Sequence, residues 1–188
     1  GGEIIQFDDC LWELFDETNP TGFFAQGNSA LANLADEFIA VNNDVADYGH
    51  ELGLQVWTHN CRGNYESRSA AGGTYEAIAT KFLKDQHYDR FFLEWDSEVA
   101  GDLKALESLK DSDAEVVLGL LSSKTTDLDD EERALKMLEE ASQIIPKDRL
   151  FLSHQCGFAS CDSGNELAIP QQWVKIKQGQ DIAAKFWS

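Results

Sequence analysis

The chain is short of positive charge: 15 Lys and Arg stand against 34 Asp and Glu over 188 residues, a net charge of −19. Its basic residues are scattered and form no stripe, which argues against nucleic acid and anionic membranes as partners, because both are held by clustered cations. No apolar run is long enough to cross a bilayer. The opening residues lack the charged, apolar and small-residue blocks of a signal peptide, so the expectation is a soluble, cytoplasmic protein. Neither a G-x-G-x-x-G nor a P-loop sequence is present, which leaves nucleotide binding without a motif. There is no internal repeat, low-complexity tract or proline-rich linker, and the length suits a single domain over residues 1–188. Four cysteines (Cys10, Cys61, Cys156, Cys161) are few for a disulfide-stapled secreted domain, so reduced thiols are expected.

What the chain does contain is bulk for a core, with five Trp and eleven Phe, and an alternation of short apolar runs with longer amphipathic ones. The short runs predict strands over residues 3–7, 55–58, 90–94, 115–120 and 149–153. The longer runs predict helices over about 30–48, 75–84, 103–109, 131–145 and 171–187. The helix from Glu131 carries Ala134, Leu135, Leu138 and Ala141 near helical spacing, starts with acidic residues that suit the positive end of the dipole, and stops before Pro146. Alternating strands and helices argue for a parallel α/β arrangement. Five units fall short of an eight-stranded barrel, which needs about 250 residues, so the expected fold is a partial (β/α)8 TIM barrel covering its later part. The polar loop over residues 15–28 reads either as a lid or as a surface excursion.

Chemistry concentrates where the predicted strands end. Val56-Trp57-Thr58 runs into His59-Asn60-Cys61, and side chains at i and i+2 on a strand share a face. Imidazole and thiolate together can hold zinc, which takes nitrogen and sulfur donors in a tetrahedral shell; the alternative is a buried Cys beside an ordinary His. Phe91-Phe92-Leu93 runs into Glu94, a carboxylate that needs either a basic partner or a metal if it is buried. Leu150-Phe151-Leu152 leads to Cys156, followed by Gly157 where the backbone can turn sharply. His59, Cys61, Glu94 and Cys156 make a four-ligand set gathered at successive strand ends.

With these residues the chain resembles the carboxyl-terminal half of the catalytic barrel of the cobalamin-independent methionine synthase family, above all its short single-barrel members. Ile4-Ile5-Gln6-Phe7-Asp8-Asp9 is similar to that family's strand ending in an acidic pair. Thr58-His59-Asn60-Cys61 is similar to its His-x-Cys zinc motif, Phe92-Leu93-Glu94 to the strand bearing its zinc-binding glutamate, and Gln155-Cys156-Gly157 to its final zinc cysteine. The resemblance implies zinc as cofactor and homocysteine as methyl acceptor. The implied donor is 5-methyltetrahydrofolate or 5-methyltetrahydropteroyltriglutamate. It also implies that Asp8 holds the substrate ammonium group, against the plain alternative of a capping or salt-bridged aspartate.

Three departures accompany the resemblance. The family's early barrel strands lie outside this sequence, which predicts self-association or a complementary barrel half as partner. Long family members carry a proton-donating histidine after the seventh strand, whereas Gly119-Leu120-Leu121-Ser122-Ser123-Lys124-Thr125 has none. Lys124 stands roughly in that place, either as the proton donor, as a binder of an acidic donor tail, or as an ordinary exposed lysine. His154 replaces a proline common in relatives and is expected beside the site, not in it. Cys161 reads as a bystander thiol, and Cys10 is expected to face the helix layer. Two further readings stay open: another zinc-dependent alkyl transfer to a thiol such as coenzyme M, or a truncated, non-catalytic zinc-binding chain that associates with itself.

Overall fold

A computed structural model describes residues 1–16, 22 and 33–188. Its framework is one five-stranded parallel sheet: β1 (Ile4–Asp8), β2 (Gln55–Asn60), β3 (Arg90–Glu94), β4 (Glu115–Leu121) and β5 (Leu150–His154). The strand order is β1-β2-β3-β4-β5. Each strand therefore lies beside its predecessor in sequence, and no reversal of order creates the crevice of a doubly wound sheet. Right-handed crossovers that always step the same way put the connecting helices on one face. The result is a stretch of wall from a (β/α)8 barrel.

Between the strands lie α1 (Leu34–Glu51), α2 (Tyr75–Ala79) and α3 (Glu131–Ser142), and α4 (Ile169–Phe186) follows β5. Helix α1 crosses so close to β2 that a Cβ on Gly49 would meet Val56 Cγ2 at 2.7 Å, which is why glycine stands there. Asp130 caps α3 by accepting from the Arg133 backbone N–H at 3.0 Å; of the expected apolar face Ala134, Leu138 and Ala141 are buried, and Leu135 is partly buried against the same core. Helix α4 starts two residues earlier than expected because Pro170 fits the first turn, where its missing N–H has no intrahelical role.

Two segments depart from the predicted α-helices. The stretch from Tyr75 is α-helical only to Ala79 and widens into a π-helix over Thr80–Lys84. The stretch Leu103–Leu109 is a 3-10 helix that buries Leu103, Ala105, Leu106 and Leu109; eclipsed i, i+3 side chains suit this short, one-sided contact. The predicted loop over 15–28 and the start of the predicted first helix fall largely outside the described residues.

A single cluster of buried side chains fills the space between sheet and helices, with Trp12, Tyr75, Phe82, Phe91, Trp95, Leu118 and Leu138 among its fully or almost fully buried members. The rings interlock: Trp12 stacks on Phe82 at 5.4 Å, and Phe82 meets Phe91 edge-on at 5.8 Å. Among the described residues no helix is long and apolar enough to cross a membrane.

Candidate metal centre

Parallel pairing sets the site. Asp8 lies opposite His59, His59 opposite Phe92, and Glu94 opposite Gly119. These residues share the face turned away from the helices, at the carboxyl ends of the strands. At Gly119 any Cβ would come within 2.8 Å of Gln155 Cα and 2.9 Å of the Leu93 carbonyl. That glycine lets β3, β4 and the chain leading to Cys156 converge, and the register of β4 and β5 shifts at this point.

The convergence brings all four predicted ligands into one neighbourhood. Cys156 Sγ lies 3.5 Å from His59 Nε2. The ligand atoms of Cys61, Glu94 and Cys156 lie within 4.8 Å of one another, and so do those of Cys10, His59 and Cys61. Two triads thus share Cys61. The expectation for Cys10 is overturned: its Sγ lies 3.3 Å from Cys61 Sγ and accepts from the Cys61 backbone N–H at 3.4 Å. It is Asp9, one residue earlier, that turns toward the helices, accepting from Trp12 Nε1 at 2.7 Å and Asn42 Nδ2 at 2.9 Å. Side chains alternate across a strand, so Asp8 and Cys10 share the site face.

The sulfurs are electrostatically unequal. Hydrogen bonds from Cys10 and then Cys156 hold the Cys61 thiol far below its ordinary value, with His59 adding to the effect. The same bonds to Cys61, followed by burial, push Cys10 and Cys156 up. Burial alone lowers His59, but its hydrogen bond to Cys61 and the surrounding negative charges carry it above its usual value. Soft sulfur donors beside an imidazole, half or wholly buried, fit zinc in kind and number.

Glu94, 2% exposed, has partners for both oxygens. Oε1 accepts from Lys124 Nζ at 2.8 Å and Oε2 from the Arg62 backbone N–H at 2.8 Å. Lys124 Nζ also reaches Asp96 Oδ2 at 3.3 Å, and its side chain is only 12% exposed. The lysine is therefore neither exposed nor among the residues that line the cleft; it stands behind Glu94.

Sequence reading missed Arg62 and Asn64, which tie the loops together. The Arg62 guanidinium stacks over the Tyr75 ring at 4.5 Å and donates to the Glu94 and Gly73 carbonyls at 3.1 and 2.9 Å. Asn64 Nδ2 donates to the Gly157 carbonyl at 2.9 Å and to Ser123 Oγ at 3.3 Å, joining the loops that follow β2, β4 and β5. Their only signal is position, just beyond a strand end beside a candidate ligand.

In front of the cluster lies a cleft of about 580 Å³ lined by Gln6, Asp8, Cys10, His59, Cys61 and Cys156, together with Asn64, Phe92 and residues of the loop after β5. Asp8 stands at its mouth, accepting from Gln6 Nε2 at 3.3 Å. His154 borders the same cleft, with its ring 4.8 Å from that of Phe158; burial lowers its pKa. Cys161 is apart from the cluster, 3.1 Å from Ser163 Oγ.

No protein-family model matches the chain. Two uncharacterised proteins of Bacillus subtilis (strain 168), YxjH and YxjG, are 37% and 35% identical to it over 188 residues. These alignments take in 100% of the chain and 49% of each relative, so the chain spans about half the length of the curated relatives it matches. Among solved structures, a Listeria monocytogenes protein provisionally assigned as a vitamin-B12-independent methionine synthase matches 100% of the chain with 49% of its own. Its TM-score is 0.68 and its identity 25%. A B12-independent methionine synthase from Shewanella sp. W3-18-1, in complex with selenomethionine, matches 98% of the chain with 49% of its own, at a TM-score of 0.69 and 20% identity. The Shewanella likeness is one of fold. These structural neighbours are B12-independent methionine synthase structures, matched along about half of their length, and they support a relationship to that family.

Proposed function

We propose that the chain is the zinc-bearing part of an enzyme that transfers a methyl group to the thiol of homocysteine, giving methionine, with a methylated folate as donor. The observation that carries this reading is the gathering of His59, Cys61, Glu94 and Cys156 at the ends of adjacent barrel strands. The candidate ligands of this reading are His59, Cys61, Glu94 and Cys156, with Cys10 beside them. Bound there, zinc supplies one thing: it favours the thiolate of a coordinated alkyl thiol, which is mostly protonated in water at neutral pH and nucleophilic only when ionised.

The chain's own residues do the rest. Asp8, on the same face as His59 and at the border of the cleft, takes the substrate ammonium in a charge-assisted hydrogen bond. Asn64 and Arg62 hold the loops so that Cys61 and Cys156 keep their spacing. Lys124 neutralises Glu94 and is placed to deliver a proton to the floor of the site through that carboxylate. A thiol without an amine, such as coenzyme M, has nothing to offer Asp8, which favours homocysteine over it.

One feature supports a second reading, in which the chain holds zinc but turns over only with a complementary barrel half or a second copy. The sheet face that carries the site is half-open, and the β1 edge leaves Ile4 45% and Ile5 36% exposed. Unpaired strand edges are normally covered.

Calorimetry of homocysteine with the zinc-loaded chain tests the proposal. Binding is expected that disappears when zinc is removed and weakens in Asp8→Asn, with methionine formed from 5-methyltetrahydropteroyltriglutamate only when the complementary half is supplied. Homocysteine affinity indifferent to zinc would overturn it, and full turnover by the chain alone would remove the second reading.

A further inference from the structure

We propose that Cys10 is itself a ligand of the metal, taking the fourth position in place of Glu94, so that the shell is three thiolates and one imidazole. The inference rests on zinc occupying the strand-end cluster and concerns which side chains hold it.

Four observations meet at this sulfur. Continuing the register by two residues from the Asp8 and His59 pair sets Cys10 beside Cys61, and the two sulfurs lie 3.3 Å apart. Thiolates on one tetrahedral zinc, each about 2.3 Å from the metal, stand about 3.8 Å from one another; a small opening of the pair admits the ion. Cys10 Sγ, Cys61 Sγ and a His59 ring nitrogen are already mutually within 4.8 Å, and Cys156 Sγ is 3.5 Å from His59 Nε2. The Cys61 backbone N–H points at Cys10 Sγ, the kind of outer hydrogen bond that steadies a ligating thiolate.

The Glu94 carboxylate lies within 4.8 Å of the Cys61 and Cys156 sulfurs, yet both of its oxygens already have donors. Its Oε1 is 2.8 Å from the Lys124 ammonium and its Oε2 receives the Arg62 N–H. An ion on Oε1 would stand within about 5 Å of a buried ammonium and be repelled by it, a cost that coordination by Cys10 avoids. Glu94, Lys124 and Asp96 then form an ionic floor beneath the ion. Zinc also prefers a soft donor at the contested position.

Zinc-edge X-ray absorption on the wild-type chain counts the sulfur neighbours without any variant. Three sulfurs and one nitrogen are expected; two sulfurs with two nitrogen or oxygen neighbours would overturn the proposal while leaving a zinc site through Glu94 intact. A chain that stays folded yet takes up no zinc would overturn this inference and the zinc reading on which it stands. In Cys10→Ser, with folding checked by circular dichroism, the count should fall to two. Zinc affinity measured against a chromogenic chelator should fall at least tenfold in that variant, and an unchanged affinity would contradict the assignment.

Discussion

The two faces of the sheet are built from similar residue types to opposite ends. On the helix side, Val56, Thr58 and Asn60 of β2, Phe91 and Leu93 of β3, and Val116, Leu118 and Leu120 of β4 are all buried. On the other face, Trp57 and His59, Arg90 and Phe92, and Phe151 and Ser153 are only partly covered. There the Arg90 guanidinium stacks over Trp57 at 4.2 Å and Phe151 at 4.6 Å. Aromatic rings thus fill a core on one side and cradle a cation on the other. Removal from water holds the sheet on the helix side; on the open side, specific polar and sulfur contacts position a reactive cluster.

The sharpest way to break this contrast is to shave adjacent rings on opposite faces. Phe91→Ala should cost about 3–5 kcal/mol in denaturant unfolding, as expected for a fully buried ring. Phe92→Ala should cost about 1–2 kcal/mol, because less area is lost and no closed cavity forms. Equal costs would mean that the open face is as well covered as the helix side.

A charge inside the helix side offers a second test. Burial is the largest influence on Glu13, with the Arg62 charge opposing it, and its carboxyl is pushed up to about 7 from 4.5. The native state therefore holds this proton more tightly than the unfolded chain. Its contribution to stability is complete below about pH 4.5 and lost as pH rises through about 7, a swing of about 3 kcal/mol. Glu13→Gln should flatten that part of the stability profile relative to wild type, as read from urea midpoints between pH 5 and 8. A variant with the same slope as wild type would show that Glu13 titrates normally.

The smallest expected effect lies on the open face. Asp8→Asn should leave unfolding and zinc content unchanged while weakening homocysteine binding by about tenfold, the worth of one charge-assisted hydrogen bond. A fall in zinc content would move Asp8 into the support of the metal.

All five strands were legible to within about two residues, because each is a compact apolar run closed by polar residues, and parallel pairing then carried His59, Glu94 and Cys156 to one end. What escaped the sequence was anything set by geometry across strands. Cys10 lies beyond the end of β1, where alternation alone determines its direction, yet it meets Cys61 only because the register of β1 and β2 continues past both strands. The pairing of Lys124 with Glu94 joins the end of β3 to a loop thirty residues further on, and periodicity contains no signal for it. The π-helical turn after Ala79 and the 3-10 run at Leu103–Leu109 likewise follow from tertiary fit.

Zinc content tests the strand-end metal centre most directly. After dialysis against zinc and removal of excess, the wild-type chain should hold one zinc per molecule, and Cys61→Ser and Cys156→Ser, still folded by circular dichroism, should each lose most of it. Zinc retained at the wild-type level by either folded variant would contradict the placing of that sulfur at the centre, and a folded wild-type chain that holds none would contradict the metal centre itself.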